Sequence, residues 1–377
     1  KYFNHRNTKQ YRQSNTCEFR WAKSNVMGKV NRLRYCMEIY QITRMKLIEK
    51  HMPTNYFFIS SIILSMILLT GCLEKEMPIE PHPSGETKTN QVILGSDYGS
   101  QIHYNLSTNS IVNSNETIVW DIAFKVNENN INAILNSSRI VTLAHTHISD
   151  YNTPFSEEHI SELEFIHDDI QGPNWGTAIG DLYGGSDVTI LNLGVDINNQ
   201  QLGLRRLQID SVNAQGYYIT YGDIDLTYKA SILIPRSNDI EWLHFSLLNE
   251  TIHNLEPNIG EWDLYFTKYI ELLDGAYFYP VVGVLSIPEG MEVCDAPELS
   301  WNDILLADWD TLEFSTAWNE IGYDWKEYNF ESKEYSIDND RCFAIRTANG
   351  KEFALRFLDF YDQMGNIGTI TLESVER

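Results

Sequence analysis

Apolar residues recur at every second position through much of this chain. Ile118, Trp120, Ile122 and Phe124 share one face of residues 118–125, and Phe353, Leu355 and Phe357 do so near the C-terminus. Residues 217–234 are dense in aromatic and β-branched side chains, and turn clusters such as Ala348-Asn349-Gly350 separate the runs. A period of two between Gly/Asn/Asp turns predicts strands. Helix signals are few: Thr153-Pro154 opens a short one carrying Ile160 and Leu163, and Trp301 to Leu312 predicts another. The pattern predicts an all-β chain with a few short helices. One segment breaks the alternation. Residues 56–69, from Tyr56 to Leu69, are almost wholly apolar, the length of a signal-peptide core and short for a membrane span.

Charge sharpens that reading. Residues 1–50 carry 12 Lys/Arg against 3 Asp/Glu, a net of +9, whereas the whole chain is −24, so residues 51–377 sum to −33. A basic head before an apolar run and an acidic body predicts an exported domain behind its signal. With Lys46, Lys50 and His51 as the positive flank, Met45 is the expected start, the signal spans 45–71, and residues 1–44 are an upstream extension absent from the mature protein. The run ends in Leu69-Thr70-Gly71-Cys72, which resembles a bacterial lipobox. The small residues expose the backbone to a peptidase, and the Cys72 thiol takes the lipid. Several acyl chains on one residue anchor stably where one does not. The acidic Leu73-Glu74-Lys75-Glu76 that follows resembles a surface-export tag, so the expected location is the outer membrane, on the cell surface. A cleaved signal with an incidental cysteine is the alternative.

Residues 72–90 contain Pro78, Pro81 and Pro83 among polar residues and predict a tether. A net charge of −33 disfavours nucleic acid and anionic membrane surfaces as partners, leaving the lipid as the only membrane contact. Cys294 and Cys342 are the cysteines left in the mature chain, too few for a zinc site. They either pair in an oxidising compartment or stay as separate buried thiols.

The ectodomain also repeats itself. Ile102-His103-Tyr104-Asn105-Leu106 precedes Trp120-Asp121-Ile122-Ala123-Phe124-Lys125, and Leu243-His244-Phe245-Ser246-Leu247 precedes Trp262-Asp263-Leu264-Tyr265-Phe266. The His-to-Trp gap is 17 residues in the first and 18 in the second, and Trp120 to Ile179 and Trp262 to Ile321 both span 59. Each copy closes on a matching strand, 204–209 and 355–360. Blocks in one order at nearly fixed spacing predict two tandem β-domains, 91–235 and 236–377. His103 and His244 stand at equivalent positions, which favours a structural role.

The second copy carries a family resemblance. Trp262 to Tyr269, Gly283-Val284-Leu285, Ile321-Gly322-Tyr323-Asp324-Trp325-Lys326 and the ending from Ala344 to Tyr361 resemble HmuY-like lipoproteins, and the first copy matches in its blocks alone. The resemblance implies an all-β surface lipoprotein that binds haem through two side chains and passes it to a TonB-dependent outer-membrane receptor. Two protein ligands leave iron no open position, which suits carriage and not catalysis. The second copy has no histidine after His253; its soft donors are Met291 and Met364. The first has His145, His147, His159 and His167 between Trp120 and Ile179. His145 and His147 lie on one face of a strand, so the expected haem ligands are His145 or His147 with His167, and Met291 in the second copy. A surface module of the same fold that has lost haem and binds another ligand or a protein is the competing function. No Ser elbow, HExxH, phosphate loop or Cys–His pair suggests an enzyme, and no metal site other than haem is expected.

Overall fold

The computed structural model describes residues 85–377 apart from 128–130, 183–184, 274 and 276, all within the compact unit Glu80–Arg377. The signal segment, Cys72 and most of the tether lie outside the described residues. No described helix is long and apolar enough to cross a membrane.

Among the described residues, twenty strands and two short α-helices follow one another. The first are β1 (Lys88–Ile93), β2 (Ser100–Asn105), β3 (Ser110–Glu116), β4 (Ile122–Lys125) and β5 (Ala133–Leu135). After β6 (Thr142–His145) and α1 (Glu157–Ser161) come β7 (Thr189–Asn192), β8 (Leu204–Asn213), β9 (Gly216–Gly222) and β10 (Lys229–Pro235). The chain continues through β11 (Trp242–Ser246), β12 (Thr251–His253), β13 (Leu264–Leu273), β14 (Tyr277–Leu285), β15 (Glu292–Asp295) and α2 (Trp301–Leu306). It ends with β16 (Lys326–Asn329), β17 (Glu334–Ile337), β18 (Cys342–Arg346), β19 (Glu352–Tyr361) and β20 (Ile367–Glu376). The fold is β-rich, as the alternation predicts. Both predicted helices are present, each capped by a serine that accepts a backbone N–H, Ser156 from His159 and Ser300 from Asp303.

The sheets pair off around two main cores. Sheets β12-β11-β4-β5 and β10-β9-β8-β7-β6 enclose Ile122, Phe124, Leu143, Leu207, Ile219 and Phe245. Sheets β14-β13-β2-β3 and β1-β20-β19-β18-β15 enclose Ile102, Tyr104, Phe266, Trp325, Phe353 and Leu372. Sheet-on-sheet burial of this kind is what strands with one apolar face require.

The expected units 91–235 and 236–377 do not each close on themselves. β2 and β3, early in the chain, join the sheet of β13, while β11 and β12, after residue 235, join the sheet of β4. The registers of the two junctions match. Tyr104 lies opposite Leu264, and its counterpart Phe245 lies opposite Ile122, the counterpart of Leu264. Asp263 donates its N–H to the Tyr104 carbonyl at 2.8 Å, and Asp121 donates to that of Phe245 at 3.0 Å. The physical reason is burial. Tyr104 and Phe245 are fully enclosed, each in the core of the other half, and a large side chain withdrawn from water contributes roughly 1.5–3 kcal/mol.

The Trp-Asp block departs locally from the prediction. Residues 117–119 form a 3-10 turn, and the strand starts at Ile122. The Trp120 carbonyl accepts from Asn136 Nδ2 at 2.9 Å and Arg139 Nη1 at 3.0 Å, which draws it out of the ladder. Arg139 in turn pairs with Asp121 at 2.8 Å, both side chains buried. Cys294 and Cys342 are buried free thiols on paired strands. Cys294 lies opposite Ala344, so Cys342 is its diagonal neighbour, a separation of about 7–8 Å between Cα atoms that a disulfide does not span.

Candidate functional site

A cleft opens where the segment after α1 meets the β13–β14 hairpin. Its free volume is about 500 Å³, and its walls include His167, Trp175, Ile270, Leu272, Phe278 and Asn319. Phe278 is 56 % exposed and Trp175 is 45 % exposed, both large apolar rings left open to solvent at the mouth. Their exposure follows from the topology. β13 and β14 pair out to Leu273 and Tyr277, whereas β2 pairs with β13 over 264–266 alone, so the hairpin projects beyond its sheet. β14 is an edge strand, and its outer stretch Tyr277-Phe278-Tyr279 has no second layer over it.

His167 sits at the back of this cleft with its ring 4.5 Å from that of Phe278. Desolvation lowers its pKa, so its imidazole is neutral at neutral pH and offers a nitrogen lone pair. Its neighbours hold the backbone on both sides. Ile166 and Leu143 exchange two hydrogen bonds, at 3.1 and 2.9 Å. Asp168 accepts from Leu135 N at 2.6 Å and from Ala178 N at 2.7 Å.

Residues 167–170 also wall a second, inner cavity of about 80 Å³, lined by Trp120, Trp242, Trp262, Trp318, His103, His244 and Glu256 among others. The two histidines are structural here. His103 meets Trp262 edge-on at 4.6 Å, and His244 meets Trp120 edge-on at 4.8 Å. Neither Nδ1 has a hydrogen-bond partner. Burial pushes both imidazoles down to about 3, so both are neutral. Glu256 accepts from Trp242 N at 2.5 Å, and desolvation pushes its carboxyl up to about 8.

The other sequence candidates are placed differently. His145 and His147 do lie together, with rings stacked 6.2 Å apart. His145 Nε2, however, is engaged with the Ala178 carbonyl at 2.7 Å, and neither ring lines either cavity. His147 is exposed on a left-handed backbone turn just past β6, so the expected strand face ends before it. His159 stacks on Phe155 beside α1. Met291 is 3 % exposed and packed in the second core, and it lines neither cavity. Its thioether fills space among Val293, Ile345 and their neighbours, the ordinary use of methionine. Among the described residues, no group of three or more His, Cys, Asp or Glu is arranged to hold a metal ion. His167 is the one sequence candidate that lines the cleft; Trp175, Phe278 and Asp168 are among the members that sequence reasoning missed. The aromatic triplet Tyr277-Phe278-Tyr279 was a usable signal, since a strand buried on one face alternates and this one does not.

Among known families, the one described as HmuY protein matches residues 97–373, well over half of the chain. The chain belongs to the HmuY family. Strands β2 to β19 and the cleft fall inside the matched span, which leaves out β1 and the last residues of β20. Solved structures similar to this HmuY-family chain are distant in sequence. The apo HmuY analog of Tannerella forsythia is 7% identical with a TM-score of 0.32, covering 78% of this chain and 98% of its own. Apo PinO from Porphyromonas gingivitis is 10% identical, with a TM-score of 0.26 and the same two coverages. A Bacteroides vulgatus protein described as HmuY-like and heme binding is 12% identical, with a TM-score of 0.22, covering 35% of this chain and 83% of its own. No curated protein matches the chain.

Proposed function

We propose that this protein takes up haem in the cleft walled by His167, Trp175 and Phe278, as a lipid-anchored surface protein of the HmuY family. The observation that carries the proposal is the placement of one neutral, half-buried imidazole against an aromatic wall in an open cleft of about 500 Å³. Haem is an apolar plate that needs such walls and an axial donor, and binding sites of this kind run to about 300–1,000 Å³. His167 Nε2 or Nδ1 would supply the axial bond, and Trp175 and Phe278 would cover the plate. His145 would have to give up its bond to Ala178 to act as a second ligand. Bound haem supplies the iron and the porphyrin; the chain supplies binding and orientation. Membership of this family supports binding and not catalysis.

Titration of the purified ectodomain with one equivalent of haem is expected to give a shifted, sharpened Soret band. His167→Ala should lose it, and the double variant His145→Ala/His147→Ala should keep it. A spectrum identical to free haem in both oxidation states would overturn the reading. It would favour a second one, for which the exposed Tyr277, Phe278 and Tyr279 on the edge of β14 speak: a surface module that binds a protein or another ligand. Delivery to a TonB-dependent receptor belongs to the haem reading. The anchor is Cys72. Cys72→Ala should release the protein from washed membranes, and retained fatty-acid labelling of that variant would contradict the lipobox.

A further inference from the structure

We propose that Asp168 is the positioning residue of the cleft, holding His167 at the angle at which it meets a planar ligand. The proposal rests on the haem reading of His167. Asp168 joins three separate pieces of chain through one carboxylate. Oδ2 accepts from Leu135 N at the end of β5, and Oδ1 accepts from Ala178 N on the far side of the loop. Both donors would otherwise be enclosed without a partner.

The rest of the loop is tied in the same direction. Ile166 is bridged to Leu143, Asp169 donates its N–H to the Gly176 carbonyl at 3.1 Å, and Gln171 accepts from Trp318 N at 3.0 Å. His167 therefore stands between two fixed residues, with its ring packed 4.5 Å from that of Phe278. A carboxylate suits this clamp and an amide does not. Both partners are N–H donors, so an amide placed there keeps one bond and turns its own N–H₂ toward the other donor. Outer groups that orient a metal-binding imidazole typically change affinity by about 10–100-fold when they are lost.

Asp168→Asn is nearly isosteric and tests the clamp directly. Ferric haem should bind to it at least about ten-fold more weakly than to the parent. The low-temperature EPR signal of the bound haem should broaden into several axial geometries while the thermal melt of the ligand-free protein stays cooperative. A merely structural role would move the melt and leave the EPR line shape alone. Amide hydrogen exchange at Leu135 and Ala178 should speed up in the same variant. If Asp168→Asn does not fold, Asp168→Glu replaces it: both acceptors remain on a longer arm, and the same broadening is expected. Parent-like affinity and line shape in the folded variant would overturn the positioning role. Where His167→Ala abolishes the haem spectrum and Asp168→Asn leaves it untouched, the positioning role alone fails. Where His167→Ala has no effect, the haem reading and the clamp fail together.

Discussion

Replacing Glu256 with glutamine should flatten the stability of this protein between pH 6 and pH 8. Glu256 is 6 % exposed, lines the inner cavity, and accepts one hydrogen bond, from Trp242 N. Desolvation raises its carboxyl from 4.5 to about 8, with Glu241 adding to the rise and the backbone bond and Lys125 opposing it. A carboxyl whose folded pKa exceeds its unfolded one contributes stability that is complete below pH 4.5 and is lost as pH climbs toward 8. Inside that window the slope is about 1.4 kcal/mol per pH unit. Allowing for titration close to 8, the parent loses about 2 kcal/mol between pH 6 and pH 8 through this group. Other buried groups titrate elsewhere or in the opposite sense. His103 and His244, depressed to about 3, cost stability as pH falls below 6.5. Asp168 and Asp263, raised to about 6, act chiefly between 3.8 and 6. Lys326, lowered by burial to about 7, adds stability as pH rises from there. All of these cancel in a comparison of parent with variant. Glutamine keeps an acceptor for Trp242 and carries no charge, so the two proteins should be nearly equal below pH 4.5, with the variant already ahead by about 2 kcal/mol at pH 6. At pH 8 Glu256→Gln should be the more stable by about 4 kcal/mol. Urea titration followed by tryptophan fluorescence at both pH values measures this. Parallel changes in the two proteins would refute the reasoning.

Two further outcomes follow from the strand exchange and the thiols. A fragment of residues 236–377 lacks β2, leaving the inner edge of β13 unpaired and the place of Tyr104 empty; we propose that it does not fold alone, and a cooperative melt by far-UV circular dichroism would contradict this. Cys294 and Cys342 should titrate as two free thiols after denaturation, and reductant should leave the melting temperature unchanged; a mass two units lower than the reduced chain would show them paired.

Much of the architecture was legible in the sequence because it depends on local pattern. Alternation marks the cores of β4 and β19, and the helix signals at Thr153-Pro154 and Trp301 fall at or just before α1 and α2, although the first cap is Ser156. Partner choice was not legible. Two strands with the same apolar face, β2 and β11, fit either half, and nothing in their own residues says which edge they will cover. The haem candidates failed in part for a related reason. The rings of His145 and His147 stack although His147 lies past the end of β6, and spacing carries no information about a carbonyl 33 residues away that occupies His145. Met291 was a donor by element and a core residue by surroundings.

The exchanged hairpins also fix an order of events during synthesis. A chain that leaves the ribosome from its N-terminus releases β2 about 160 residues before the strand it must pair with. Until then the hairpin of β2 and β3 has an apolar face and an open edge, and β4 waits for β11 in the same way. The core around β4 can close once β12 has emerged, whereas the core around β2 must wait for β20. Such long-range closure slows folding and keeps pairing edges exposed meanwhile, and of these two edges that of β2 stays open the longer.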